Sequence, residues 1–211
     1  MRTPRIRTDF TRGVCVICRN NMDDTVDTLK AWLHYLFPDH EICCHTNIPR
    51  HIQESRGLKE YKRFTLDARI EELSLIVELD IVKDYMYANR IVEMRKRDKV
   101  LEEMGYKVVH IPFWVTLSAI NIYHYFGLTG VDGCSYPSGF WPVTDRAPDL
   151  TWMPANFSQI GYNKFATELM SLPTETQVEV IDSIKRCVDK YEIDIILPPE
   201  YLIQIQLPGG K

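Results

Sequence analysis

Asp67, Glu78 and Asp80 are the residues of this 211-residue chain best suited to chemistry. Glu78 and Asp80 stand two apart on an apolar run, Leu73 to Val82, that reads as a strand. At that spacing their side chains point to one face. An acid set among Leu75, Ile76, Val77 and Leu79 is costly to bury without a partner, which favours a functional role for Glu78. Asp67, in the neighbouring run Phe64 to Glu71, reaches the same face if the two runs pair as a hairpin. Three carboxylates at one end of a sheet suit a hard divalent cation, Mg²⁺ or Mn²⁺, held by oxygen ligands. Such a cation activates water and stabilises the charge that builds on a phosphodiester. The plainer alternative is a hairpin whose acids face solvent.

Beside these acids runs a basic helix, Asn89 to Met104, with Ile91, Met94, Leu101 and Met104 along one face. Its cations Arg90, Arg95, Lys96, Arg97 and Lys99 are candidates to hold phosphates next to a metal. The competing reading pairs them with Glu93, Asp98, Glu102 and Glu103 on a charged outer surface. Lys83 and Lys96 are the nearby lysines that could assist catalysis, although Lys83 falls on the face opposite Glu78 if the strand continues that far.

The six cysteines suggest reduced thiols rather than a disulfide framework. Cys15, Cys18, Cys43, Cys44 and His45 are numerous enough for a zinc site. Zinc is not expected, because VCVIC is an apolar strand pattern and adjacent Cys43 and Cys44 point to opposite faces. His110 in KVVHIP reads as a strand histidine rather than a catalyst. The aromatic segment Tyr123 to Trp152 suits packing better than base stacking.

The elements that must position these residues follow from periodicity. A basic arm and short strand occupy residues 1–20. A helix spans about Asp24 to Phe37, with Val26, Leu29, Leu33, Leu36 and Phe37 at helical spacing and Pro38 as its stop. Glu41 to His45 is a short strand, and the polar stretch Asn47 to Lys62 reads as a loop. The hairpin, the basic helix and a strand over Lys107 to Trp114 follow, then a helix over Thr116 to Phe126. These make a core over 21–126 and a helical, loop-rich extension over 127–211. In that extension Gly127 to Gly161 is an irregular wrap, Tyr162 to Met170 a short helix, and Thr174 to Tyr191 a long one buried along Val178, Ile181, Ile184, Val188 and Tyr191. Ile193 to Leu197 and Tyr201 to Leu207 read as strands.

The net charge of −4 argues against a generic polyanion binder. The charge is uneven: residues 145–211 hold ten acids and six bases, while residues 1–144 balance and carry basic clusters that can follow a phosphate backbone. No run approaches the length of a membrane helix, and the N-terminus does not read as a secretory signal, so an intracellular protein with no membrane partner is expected.

The order helix, strand, hairpin, helix, strand, with Asp67 on one strand and Glu78-x-Asp80 on the next, resembles the PD-(D/E)xK nuclease superfamily. The run RDKVLEEMGYKVVHIPFW, Arg97 to Trp114, is similar to the helix-strand ending of its very-short-patch-repair-like and RAP-domain branch. The resemblance covers about Asp24 to Trp114. It implies an α/β fold with a restriction-endonuclease-like α-β-β-β-α-β core. It also implies metal-dependent hydrolysis of DNA or RNA, with Asp67 and Glu78 as metal ligands and Asp80 assisting. Asp80 stands where the family often has lysine, and Ile81 where the I-E-x-D-G form has glycine. Those departures favour, as one alternative, a nuclease-fold module that binds nucleic acid without cutting it; a further alternative is an interaction scaffold working through the acidic stretch beyond Asp145 and the apolar wrap.

Overall fold

The computed structural model describes residues 25–133 and 158–191, with a short antiparallel pair formed by β1, Thr8–Asp9, and β2, Val14–Cys15. The remainder of the basic arm, the 134–157 part of the expected wrap and the expected strands beyond 191 lie outside the described residues.

The chain is α/β. Helix α1, Thr25–Leu36, precedes β3, Cys43–Cys44; a short helix α2, Arg50–Ser55, leads to β4, Ala68–Ile70, and β5, Leu75–Asp80. Two helices, α3, Lys83–Met86, and α4, Ala88–Glu103, then cross to β6, Lys107–Pro112. Three more helices follow: α5, Ala119–Phe126, α6, Gln159–Ser171, and α7, Thr174–Tyr191. The four-stranded mixed sheet has the order β3-β4-β5-β6. β3, β4 and β5 are antiparallel in sequence, whereas β5 and β6 run parallel in register from Leu75↔Lys107 to Asp80↔Pro112. A parallel pair cannot be closed by a tight turn, so α3 and α4 supply the crossover.

All six residues of β5 are buried, because both of its faces are covered. Leu75, Val77 and Leu79 meet Leu29, Trp32 and Leu33 of α1 on one side. Ile76 meets Leu101 of α4 and Met104, which caps that helix, on the other. Glu78 and Asp80 alternate with the α1-facing residues and follow Ile76, so they belong to the face that α4 covers. Strand periodicity therefore places these acids inside the molecule, and the solvent-facing hairpin is excluded.

Local structure departs from the sequence pattern in four places. The stretch 47–62 is not a plain loop: it contains α2, organised by buried Gln53. The Gln53 amide donates to the carbonyls of Ile48 and Lys62 and accepts from Lys62 N, satisfying backbone that periodicity cannot see. The β4–β5 connection is a 3-10 turn over Glu71–Leu73 with Ser74 at φ 47, longer than a two-residue hairpin. β5 stops at Asp80, and Lys83 opens α3 rather than extending the strand. Val178 is exposed, and the described buried stripe of α7 is Val180, Ile181 and Ile184.

α6 and α7 pack on the preceding elements. Phe165, Leu169, Leu172, Val180, Ile181 and Ile184 share a core with Tyr85, Phe113, Trp114 and Val115. Buried Asn121 of α5 donates to Thr116 O and accepts from Thr176 Oγ1 at 2.6 Å, tying α5 to α7. Gly161 lets α6 approach α3 closely, since a Cβ there would lie 2.1 Å from the Tyr85 carbonyl. One turn later on α6 stands Lys164, which this approach brings to the end of β5.

Candidate functional site

Where β5 ends, a cleft of about 580 Å³ opens between the sheet and α4. Asp67, Glu78 and Asp80 all line it, facing Arg90, Met94 and Arg97 of α4. The three acids singled out by spacing thus meet at one place, but in different states.

Asp67 precedes β4 and is partly buried. Its Oδ2 accepts from Leu79 N at 2.9 Å. Burial pushes its pKa up, outweighing that hydrogen bond and the charges of His45 and Arg97.

Glu78 is 6% exposed. Its Oε2 lies 3.4 Å from Arg97 Nη2, and among the described residues its buried Oε1 has no hydrogen-bond partner. Burial raises its pKa to about 8, with the neighbouring Asp67 and Asp80 charges adding to the shift and Arg97 and His110 opposing it.

Asp80 is 2% exposed and fully engaged. Oδ1 meets His110 Nδ1 at 2.7 Å and Oδ2 accepts from Lys164 Nζ at 2.6 Å. Burial alone would favour the protonated acid, yet the His110 hydrogen bond and the His110 and Lys164 charges hold its pKa below the usual carboxylate range. His110 in turn lies with Nε2 3.2 Å from Asp98 Oδ2. Burial disfavours its cation, but the two flanking carboxylates raise its pKa to about 10. Lys164 also pairs with Glu168 and sits 4.1 Å from the Tyr85 ring centroid. Tyr85 donates to Glu168 at 2.7 Å and accepts from Trp114 Nε1 at 3.2 Å.

The cation beside Asp80 therefore comes from the C-terminal extension, 84 residues away, and not from Lys83 or Lys96. Lys83 is exposed and outside the cleft; Lys96 is exposed and pairs with Glu93. The traceable signal for Lys164 is its place on α6: with Glu168 it shares the turn-to-turn stripe of Gly161, Phe165 and Leu169, a charged pair on an otherwise buried face. His110 is likewise more than a strand histidine, since its β6 register opposite Glu78 sets it between Asp80 and Asp98.

The five cations of α4 do not form one patch. Arg90 and Arg97, seven residues apart, line the cleft together with Glu93 and Met94. Arg95, Lys96 and Lys99 are exposed and do not line it. Arg90 is committed to Asp84, whose Oδ1 accepts from its Nη2 and Nε at 2.6 and 3.0 Å. Arg63, from the chain leading into β4, also lines the cleft.

Two carboxylates, one with an orphaned buried oxygen, form a donor set that fits a hard divalent cation. Among the described residues no group of three His, Cys, Asp or Glu side chains is arranged to hold a metal, and Asp80 is taken up by His110 and Lys164. Cys43 and Cys44, on β3, are half-buried and in no disulfide among the described residues. Among the described residues no helix is long and apolar enough to cross a membrane. No family model, curated protein or solved structure matches the chain.

Proposed function

We propose that this chain is a metal-dependent, endonuclease-like protein of the PD-(D/E)xK kind, acting on phosphodiester bonds of DNA or RNA. The observation that carries the reading is the unpartnered, buried Oε1 of Glu78 in a cleft shared with Asp67 and walled by Arg97. Leaving an acceptor buried without a partner costs about 1–3 kcal/mol, which argues for a ligand that completes it. The element order α1-β3-α2-β4-β5-α3-α4-β6 supports the same reading, because it sets Asp67 at the start of β4 and Glu78 on the adjacent β5, both facing the basic helix.

Asp67 and Glu78 are the residues to hold Mg²⁺ or Mn²⁺, which when bound supplies charge stabilisation and a water of lowered pKa. Arg97 and Arg63 offer guanidinium donors to the phosphate, and Met94 gives the wall an apolar portion. Asp80 is a positioning residue: clamped by Lys164 and His110, it holds β5 against β6 and α6 and keeps its charge off the open side of the cleft.

A second reading has one observation in its favour. The commitment of Asp80 leaves two carboxylates for a cation, which suits a module that binds nucleic acid without cutting it. Labelled single-stranded and duplex DNA and RNA, incubated with Mg²⁺, Mn²⁺ or EDTA beside Glu78→Ala, separate the two. Cleavage that needs the metal and is lost in Glu78→Ala supports the nuclease. Salt-sensitive binding without cleavage supports the module, and cleavage surviving Glu78→Ala removes this site assignment.

A further inference from the structure

Arg97 is held less firmly than Arg90, its neighbour on the cleft wall, or Lys164 behind Asp80. Arg90 makes short bonds to Asp84, whose other oxygen accepts from Ile81 N at 2.9 Å, so that pair is part of the α3 turn. Lys164 is enclosed by Asp80, Glu168 and the Tyr85 ring. Arg97 instead stands 3.4 Å from Glu78 and 3.6 Å from Asp98, and among the described residues its Nε has no hydrogen-bond partner. Its side chain is 27% exposed, on the cleft wall. A guanidinium this loosely bound can change partners at small cost.

Glu78 is the group for which Arg97 and a divalent cation compete. A cation seated on Asp67 and Glu78 neutralises the carboxylate that holds Arg97 and sets like charges side by side. We propose that Arg97 couples cation binding to phosphate binding: a divalent cation at Asp67 and Glu78 displaces its guanidinium from Glu78, and it then binds a phosphodiester oxygen of the nucleic acid. This inference rests on the functional reading above. It adds a reciprocal linkage, in which nucleic acid strengthens cation binding by the same factor that the cation strengthens nucleic-acid binding.

The test is equilibrium binding, with no turnover required. Fluorescence anisotropy of labelled DNA and RNA oligonucleotides is measured on the full chain above pH 8, where the Glu78 carboxylate is ionised, in EDTA and in Ca²⁺ at fixed ionic strength. Wild type, Arg97→Gln and Glu78→Gln are compared, and calorimetry reports Ca²⁺ binding to each. Both substitutions are near-isosteric or helix-favouring, and a melting curve checks that each variant folds. For wild type, affinity rises about tenfold with Ca²⁺, within the usual range for coupled sites. Arg97→Gln binds Ca²⁺ but loses most of that rise. Glu78→Gln binds nucleic acid in EDTA more tightly than wild type and does not respond to Ca²⁺. A full rise retained in Arg97→Gln would show plain charge neutralisation and overturn the inference alone. So would equal wild-type affinities in EDTA and in saturating Ca²⁺. Absence of nucleic-acid binding in every arm would overturn the functional reading and the coupling together.

Discussion

The two ends of the β4–β5 hairpin carry the same chemistry in opposite condition. At the turn, Glu71 takes Arg56 Nη2 at 2.7 Å and Tyr106 Oη at 2.8 Å, and it pairs with Arg69. Arg56 also donates to the Met104 carbonyl and lies 4.0 Å from the Tyr106 ring centroid. Burial would raise the Glu71 pKa, but the hydrogen bonds from Arg56 and Tyr106 and the charges of Arg69 and Arg56 bring it below its ordinary value. At the other end Glu78 is buried with one loose cation and an orphaned oxygen, and its pKa is pushed up. Glu71 has both oxygens engaged and fastens α2 and the end of α4 to the turn. Glu78, at the open end of the same strands, has one oxygen without a partner among the described residues, as the proposed cation seat requires.

Asp80 divides these two conditions at a distance of two residues from Glu78. It shares Glu78's face and strand but has the completed shell, because α6 and β6 both reach it. Breaking that shell gives the largest expected effect. Asp80→Ala leaves buried Lys164 with Glu168 alone and His110 with Asp98 alone, and should cost about 3 kcal/mol in chemical denaturation, the low end for breaking a buried pair. A loss comparable to a surface substitution would show that the pair does not fasten α6 to the core.

At the turn, Glu71→Ala removes an acceptor shared by several donors and should cost about 1.5–3 kcal/mol, the net worth of hydrogen bonds to charged groups. Because the folded Glu71 pKa is lowered, its contribution is present above the ordinary value of 4.5 and is lost as pH falls below it.

Glu78→Gln has the opposite sign. The folded pKa of Glu78 is raised, so its contribution is fully present below 4.5 and is lost as pH rises to about 8. A neutral amide in its place carries no such cost. Measured without divalent cation, the variant should gain on wild type by about 1–3 kcal/mol as pH rises through that window and hold the gain above it. Thermal melts across pH test this, and a constant difference would contradict the raised pKa. The smallest effect belongs to Arg95→Gln, outside the cleft, which should change stability by about 0.5 kcal/mol or less.

The acids of the cleft were legible in the sequence because strand period and helix period are local. Glu78 and Asp80 on LIVELD, with Asp67 just before the partner strand, announce a shared face, and Ile91, Leu101 and Met104 announce the helix that covers it. What periodicity cannot report is which distant side chain completes each acid. Lys164 reaches Asp80 only because Gly161 permits α6 to touch α3, a tertiary contact with no local pattern. α2 was hidden for a similar reason: Pro49 and Gly57 bracket a polar stretch, and its order depends on Gln53 bonding backbone nine residues away. The α4 cations were legible as a set but not in their division, since facing the cleft depends on how the helix is rotated on the sheet. Arg90 and Arg97 share that face, whereas Arg95 and Lys99 do not line the cleft.

The proposed seat for a divalent cation is the pair Asp67 and Glu78. Calorimetric titration of Mn²⁺ into the full chain near neutral pH, beside Glu78→Gln, tests it most directly. Wild type should show a binding event that releases protons, because the cation displaces the proton of Glu78, and the variant should lose it. An unchanged isotherm in Glu78→Gln, or no binding in wild type, would contradict it.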